Sequence, residues 1–326
     1  MVPPMTTDAR WGLTLPFAGL PLAGHAPYFR LAEELGYDDL WTGDTAGADG
    51  FTPLALAAAH TERIRLATGI VNPFTRGPAV LAQHAAALAD ASDGRFVLGL
   101  GASSNVIVER WNGVRFEKPL TKMRETLEFL RPVLAGERGP GGFKLEGAPA
   151  QPVPIVLAAL RGKMLQLAAS HADGAFTNFL PLSGLPQVVA GVREGEALAG
   201  KTPGSTELAC RFFCVPGDAE QGLATARFLF TAYATVPVYT EFFRWLGWGE
   251  QLDPMIAAWK DGDRKLALEL VSDDLVRDVF LFGPYEQQRE RLAEFVAGGI
   301  TTAILTPMCG PDQLEEMMRG LLPVAS

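Results

Sequence analysis

Short apolar runs alternate along this chain with segments whose apolar residues follow helical spacing. The runs that predict strands are Trp11–Pro16, Asp38–Gly43, Arg65–Val71, Arg95–Leu100, Val153–Ala158, Gly174–Asn178, Glu207–Val215 and Thr301–Thr306. Continuous apolar runs such as RFVLGL are typical of strands that are buried on both faces of a parallel sheet. Eight strands that are each followed by helical sequence predict a closed (β/α)8 TIM barrel rather than an open doubly wound sheet.

Three segments depart from the alternation. Gly101–Pro119 and the Gly- and Pro-rich Glu137–Gln151 are predicted to be loops, and Ala219–Leu281 is predicted to be mostly helical. We interpret the aromatic-rich part of the last segment, Phe228–Trp259, as an insertion at the carboxyl face that lines the substrate side. The alternative for these aromatic residues is ordinary helix packing. Because no linker or internal repeat interrupts the pattern, we expect residues 1–326 to form a single domain.

Composition narrows the classes of partner. The net charge is −9 over 326 residues and no Lys/Arg run stands out, so we expect no nucleic-acid partner. No apolar run reaches membrane-spanning length, which argues against a membrane protein. Three scattered cysteines, Cys210, Cys214 and Cys309, fit a reducing cytoplasm better than a disulfide framework. The four histidines lack paired metal-ligand spacing, so we expect no metal site.

Several familiar motifs are incomplete or missing. Gly99-Leu-Gly101 is followed by Ala102-Ser103-Ser104, which breaks a dinucleotide-binding GxGxxG. Gly162-Lys163 lacks the upstream glycine of a phosphate-binding P-loop, and no GxSxG elbow exists. These absences argue against a Rossmann dehydrogenase, an NTPase and a serine hydrolase.

Candidate site residues remain at the predicted strand ends, because the βα loops of such barrels face the ligand. They are Asp44 after the second strand, Gly69 and Ile70 in the third, Ala102, Ser103, Ser104 and Asn105 after the fourth, and Ala158, Ala159, Leu160, Arg161, Gly162 and Lys163 after the fifth. The Asp44 carboxylate could accept a hydrogen bond from a ligand or handle a proton, or it could cap its own loop. Residues 158–163 lead into a helix whose amino-terminal N–H groups could seat a phosphate.

Three segments carry a resemblance to a known family: Leu40–Asp44 (LWTGD), Leu66–Ser103, and Phe282–Pro307 (FGPYEQQRERLAEFVAGGITTAILTP). They resemble the bacterial luciferase-like monooxygenase superfamily, and within it the oxidoreductases that depend on the deazaflavin coenzyme F420. The resemblance covers nearly the whole chain, and its most specific part runs from the third to the fourth predicted strand.

The resemblance implies roles for the matched positions. Asp44 would contact the cofactor and serve as the catalytic residue. The Gly69–Ile70 bond would be a non-prolyl cis peptide at a bulge that braces one face of the tricyclic ring; an ordinary glycine in a strand is the alternative. Ser103, Ser104 and Asn105 would bind the ribityl chain or the pyrimidine edge, or else form a solvated turn.

Two departures from the family pattern are informative. Leu160 and Arg161 stand where many deazaflavin relatives have small residues. The resemblance therefore does not fix how this segment holds the phosphate, and a different path for the cofactor's phosphate tail is one interpretation. Thr45 follows Asp44 where the sugar-phosphate dehydrogenases of the deazaflavin group carry a histidine base. The threonine argues against a sugar phosphate as substrate, and no replacement base is evident in the sequence.

The resemblance implies an oxidoreductase that transfers a hydride between F420 and a small organic substrate. One alternative is an FMN-dependent monooxygenase that uses oxygen and reduced flavin. A second alternative is a flavin- or deazaflavin-binding protein without catalysis. The family also implies a homodimer and a reductase that supplies reduced flavin or F420.

Overall fold

A computed structural model describes residues 9–217 and 219–322. Its strands are β1 (Arg10–Thr14), β2 (Asp39–Thr42), β3 (Arg65–Thr68), β4 (Phe96–Leu100), β5 (Ile155–Ala158), β6 (Gly174–Asn178), β7 (Glu207–Val215), β8 (Leu281–Phe282) and β9 (Thr302–Pro307). All strand pairs among them are parallel.

The strands close into a barrel. From β1 to β7 each strand pairs with the next in sequence, and β9 lies between β7 and β1. The two-residue β8 lies outside this ring of eight and pairs with Cys214 and Val215 at the end of β7. The predicted (β/α)8 barrel is therefore confirmed. Strand β8 is missing from the sequence prediction because two residues are too few to interrupt a helical pattern.

Helices cover the outside of the barrel and fill the long insertion. They are α1 (Ala26–Leu35), α2 (Thr52–Ala58), α3 (Pro78–Ala91), α4 (Pro119–Leu134), α5 (Gly162–His171), α6 (Leu185–Leu198), α7 (Ala219–Ala234), α8 (Pro237–Trp245), α9 (Gly249–Lys260), α10 (Arg264–Glu269), α11 (Asp273–Val279), α12 (Tyr285–Ala297) and α13 (Pro311–Leu321). Helices α7 to α11 form the insertion that follows β7. No helix of the described residues is long and apolar enough to cross a membrane.

The prediction of a loop over Gly101–Pro119 is wrong in its middle. Val106–Trp111 forms a π-helix that begins after Asn105 and buries Val108. Six residues with one buried apolar position carry too little periodicity to be read as a helix from sequence.

The amino-terminal end of the barrel is closed by a network of ion pairs. Asp39 is fully buried and accepts hydrogen bonds from Arg10 and Arg65, with N–O distances of 2.7 and 2.6 Å. Arg65 also binds Glu207 at 2.6 Å, and Thr302 donates to the same carboxylate. Burial favours a raised pKa for Glu207, but the hydrogen bonds from Arg65 outweigh it and lower the pKa. Charged side chains thus fill this end.

The middle of the barrel is apolar. One cluster of buried side chains, one from each of seven strands, fills it: Trp41, Ala67, Val97, Val156, Phe176, Ala209 and Ile304. The rings of Trp41 and Phe176 stack with centroids 5.8 Å apart. Because this layer is packed, space for a ligand has to lie above it, at the carboxyl ends of the strands.

Much of the aromatic-rich insertion is packed on itself. Phe230, Phe242 and Phe243 are fully buried, and Trp248 stacks on Phe243 with a centroid distance of 5.3 Å. Phe228 is exposed instead. The interpretation that this whole segment lines the substrate side is therefore wrong for the four buried residues, which form the core of the insertion, and for Phe228, which faces solvent. Tyr233 and Tyr239 differ, since both contact Phe179 at the end of β6.

Candidate active site

The predicted site residues lie together on one half of the carboxyl rim, where β2, β3, β4 and β5 end side by side. The Asp44 N–H donates to the Ile70 carbonyl at 2.9 Å, which joins the ends of β2 and β3. A Cβ on Gly101 would lie 2.6 Å from Ile70 Cγ1 and 3.0 Å from the Ala158 Cβ. The ends of β3, β4 and β5 therefore meet at van der Waals distance.

Asp44 forms an ion pair that the sequence did not predict. Both carboxylate oxygens bind the Arg76 guanidinium, and Oδ1 also accepts the Gly50 N–H at 3.0 Å. The side chains of Asp44 and Arg76 are only 13% and 19% exposed. Arg76 was missed because it stands in the loop before α3, where an arginine is usually a solvated residue. Its guanidinium also lies 5.4 Å from the Phe51 ring centroid.

This ion pair affects a nearby histidine. His84 packs its ring against Phe51 with a centroid distance of 4.5 Å. Burial and the positive charge of Arg76 lower the pKa of His84, so its neutral form is favoured at neutral pH.

Glycines bring the backbone of β2 and β3 close together. The Gly69–Ile70 peptide bond is cis, as the resemblance implied. A Cβ on Gly69 would lie 2.9 Å from the Trp41 ring and 3.0 Å from the Phe176 ring. A Cβ on Gly43 would lie 2.8 Å from the Gly69 carbonyl oxygen. These positions have no room for a side chain, so the rim above the Trp41–Phe176 stack is built from backbone.

Residues 102–105 form the turn between β4 and the π-helix. Ser103 has a left-handed backbone with φ of +65°. The Ser104 carbonyl accepts the Val108 N–H at 2.9 Å, and its hydroxyl accepts the Ile107 N–H at 3.4 Å. Ser104 therefore helps to start the helix. Within the described residues, the side chains of Ser103 and Asn105 make no hydrogen bond, and both are half-buried.

Residues 158–163 lead from β5 directly into α5. The Ala159 N–H donates to the Phe176 carbonyl at 2.9 Å, and Leu160 packs partly against the core. Helix α5 begins at Gly162, whose φ is +54°, and no side chain caps its first N–H groups. Arg161 and Lys163 are exposed beside this helix end. The segment therefore presents free donors and two cations at the rim.

The opposite half of the rim holds polar groups that were not predicted. Asn178 ends β6, and its amide nitrogen donates to the Tyr239 hydroxyl at 2.9 Å. Arg211 Nε of β7 donates to the side-chain Oδ1 of Asn178 at 3.2 Å. Thr306 of β9 donates to the Thr14 hydroxyl of β1 at 2.9 Å. The available signal was that Arg211 stands two residues after the inward-facing Ala209 on β7, so both side chains point to the same face of the strand.

The described residues contain no group of three or more His, Cys, Asp or Glu that could hold a metal ion. Cys210 and Cys214 are fully buried, and burial raises the pKa of both thiols. They serve as small packing residues rather than nucleophiles.

A surface groove of about 610 Å³ lies between α11, β8 and α12. It is lined by Trp248, Arg277, Phe282 and Gln288 among other residues. It contains none of the predicted site residues, and the converging strand ends are the stronger functional candidate.

Comparison with known proteins identifies the family. The profile of the luciferase-like monooxygenases matches residues 7–302. The chain belongs to the luciferase-like monooxygenase family. The family match and the closed barrel agree with the resemblance of the three sequence segments.

Relatives of this luciferase-like chain include proteins that are named as oxidoreductases or reductases. A Mycobacterium tuberculosis protein assigned to the coenzyme F420-dependent oxidoreductases is 28% identical and covers 93% of this chain and 96% of its own. The 5,10-methylenetetrahydromethanopterin reductase of Archaeoglobus fulgidus is 29% identical, covering 89% and 91%.

Solved structures share the fold of this luciferase-like chain. The F420-dependent tetrahydromethanopterin reductase of Methanopyrus kandleri superposes with a TM-score of 0.78 at 23% identity over 97% of both chains. The oxygenating component of 3,6-diketocamphane monooxygenase from Pseudomonas putida, in complex with FMN, gives 0.66 at 17% identity over 97% of both chains. At these identities the superpositions show the fold alone.

Proposed function

We propose that this protein is an oxidoreductase that uses coenzyme F420 to transfer a hydride to or from a small organic substrate. The observation that carries the proposal is the convergence of the ends of β2, β3, β4 and β5 on one half of the carboxyl rim. The name of the Mycobacterium tuberculosis relative supports the deazaflavin as cofactor.

The residues at this half of the rim fit a flat, anionic cofactor. Gly69, Gly101 and Ala158 offer backbone and small side chains, against which a planar ring can lie closely. Ser103 and Asn105 have hydrogen-bonding groups that no described residue uses. The uncapped start of α5, with Arg161 and Lys163, would hold a phosphate through N–H groups and positive charge.

When bound, F420 would supply the hydride chemistry, while the chain supplies binding and orientation. We assign Asp44 and Arg76 the task of fixing the loops that follow β2 and β3 around the ring. The Asp44 carboxylate already accepts from Arg76 and from the Gly50 N–H, so a hydrogen bond to the cofactor would use its remaining lone pairs. We propose Asp44 as the catalytic residue, held in place by Arg76 and by the Gly50 N–H.

An FMN-dependent monooxygenase is the second candidate, because a structural neighbour with this fold holds FMN. The two candidate functions differ in which cofactor the protein binds, F420 or FMN, and this difference can be measured directly. A fluorescence titration with F420 and, separately, with FMN is the test. We expect F420 to bind with a Kd in the micromolar range; binding of FMN alone would contradict the proposal.

Turnover separates a catalyst from a binding protein. The protein is loaded with reduced F420 and mixed in turn with activated alkenes, aldehydes and imines. Oxidation of the cofactor is followed by its absorbance. We expect oxidation of the cofactor with at least one class of substrate. Tight binding without turnover across the panel would favour the non-catalytic alternative.

We further infer from the family resemblance that the protein is a cytoplasmic homodimer that works with a reductase able to supply reduced F420 or flavin. Analytical ultracentrifugation tests the oligomeric state. A sedimentation coefficient that corresponds to 35.0 kDa at all concentrations would contradict the dimer.

A further inference from the structure

The side of the rim opposite the proposed cofactor half carries an arginine inside the barrel. Arg211 follows Ala209 of the apolar layer by two residues on β7, so its side chain lies next to that layer on the carboxyl side. Its guanidinium carbon is 6.0 Å from the Phe176 ring centroid. The same carbon lies 5.3 Å from the Phe213 ring centroid. Arg211 is therefore half-buried between aromatic rings at the mouth of the barrel.

Arg211 uses only one of its donors. Nε donates to Asn178, whereas Nη1 and Nη2 have no hydrogen bond and no carboxylate within 4.0 Å among the described residues. By contrast, Arg10, Arg65 and Arg76 each bind an aspartate. A half-buried guanidinium without a counter-ion is costly unless a ligand supplies the charge.

Tyr239 of α8 adds a second donor beside Arg211. Its hydroxyl accepts from the Asn178 amide, so its own O–H remains free to donate. No described residue accepts that proton. Burial is the main cause of a raised pKa for Tyr239, so the hydroxyl stays protonated at neutral pH. Asn178 fixes both groups, because it binds Arg211 through oxygen and Tyr239 through nitrogen.

Aromatic side chains surround these donors. The Phe179 ring stacks on Phe213 with centroids 4.6 Å apart and contacts Tyr233 at 4.4 Å. Such walls suit an apolar or planar body.

We infer that Arg211 and Tyr239 bind an oxyanion group of the substrate, a carboxylate or a sulfonate, whose apolar body packs against the aromatic walls. The inference rests on the proposed function, since the substrate has to meet the cofactor across the barrel mouth. It adds the substrate class, an organic anion, which the family assignment does not supply. A guanidinium with both terminal nitrogens free matches the two oxygens of such a group.

Calorimetric titration tests the inference with benzoate and benzenesulfonate as probes, and benzamide as the neutral control of the same shape. The protein is titrated both free and saturated with F420. Arg211→Gln should weaken binding of the anion by about 10- to 100-fold, because a hydrogen-bonded charge partner is lost. Tyr239→Phe should weaken it by about 2- to 12-fold.

Arg211→Lys keeps the positive charge but lacks the two parallel N–H donors of a guanidinium. Its affinity for the anion should lie between those of the wild type and Arg211→Gln. Arg319→Gln, on the exposed face of α13, is the matched control and should leave binding unchanged. Benzamide should bind the wild type and Arg211→Gln equally. The ratio of benzoate to benzenesulfonate affinity distinguishes the two oxyanions.

Three results would overturn the inference: no binding of either anion by the wild type, equal binding by the wild type and both Arg211 variants, or loss of F420 binding in Arg211→Gln with anion binding retained. The last result would assign Arg211 to the cofactor. If F420 fails to bind the wild type but anion binding depends on Arg211, the proposed cofactor is wrong and the anion site stands.

Discussion

At the residue scale, the site depends on pairs of side chains that come from different loops. Asp44 could be chosen from sequence because it follows an apolar strand, whereas its partner Arg76 lies 32 residues further along. The two residues come together only because β2 and β3 pair as neighbours in the folded barrel. Arg211 was missed for a related reason, since an arginine within an apolar strand gives no sign of whether its partner is a carboxylate or a ligand.

Replacement of Asp44 by asparagine tests the ion pair. Asp44→Asn removes the negative charge that holds Arg76, and we expect F420 binding to weaken by about 10- to 100-fold. The measurement is the fluorescence titration with F420. Glu315→Gln, which breaks an exposed pair with Arg319, is the control and should change nothing. An unchanged Kd for Asp44→Asn would remove Asp44 from the site.

The close approach of β3 and β4 gives a second prediction at this scale. A Cβ on Gly99 would overlap the Thr68 carbonyl oxygen and lie 2.7 Å from the carbonyl carbon, so the backbone itself would have to move. We expect Gly99→Ala to lower the free energy of unfolding by about 3 kcal/mol or more. Gly147→Ala has nothing within 4 Å and should be close to neutral. Equal stability of the two variants in urea denaturation would refute this account of β3–β4 packing.

At the element scale, the strands and flanking helices were predictable, and the insertions were less so. Runs such as RFVLGL and TTAILT have one dominant apolar pattern, which gave strands within one or two residues of their bounds. Val106–Trp111 and Leu281–Phe282 have no such pattern. Phe230, Phe242 and Phe243 of α7 and α8 were assigned to the wrong surroundings, because helical spacing does not tell a helix-to-helix core from a ligand wall.

The ion-pair network that joins β1, β2, β3 and β7 predicts a pH effect. Because the pKa of Glu207 is lowered in the fold, its ionised form stabilises the barrel above its ordinary pKa of 4.5, and this contribution is lost as the pH falls through the lowered folded-state value. Glu207→Gln should reduce the free energy of unfolding by about 1–3 kcal/mol at pH 7.

The difference between wild type and Glu207→Gln should shrink below pH 4.5. Urea denaturation at pH 7, 5 and 4 measures it. A difference that stays constant over this range would show that the ionised carboxylate is not what stabilises this end of the barrel.

At the scale of the whole molecule, the barrel divides its carboxyl rim into two halves. One half, at the ends of β2 to β5, contains every site residue that the sequence predicted. The other half, at the ends of β6, β7, β9 and β1, contains Asn178, Arg211, Thr306 and Thr14, which only the closed ring brings together. The fold and the residues of the proposed cofactor half could be predicted from strand order, whereas the second half required contacts between strands distant in sequence.

Hydrogen–deuterium exchange with and without saturating F420 tests the division of the rim most directly. We predict slower exchange in peptides that cover residues 44–50, 69–76, 101–105 and 158–163, with no change in residues 311–321 of α13. Slower exchange confined to other segments, or no change in these four, would contradict the assignment of this half of the rim to the cofactor.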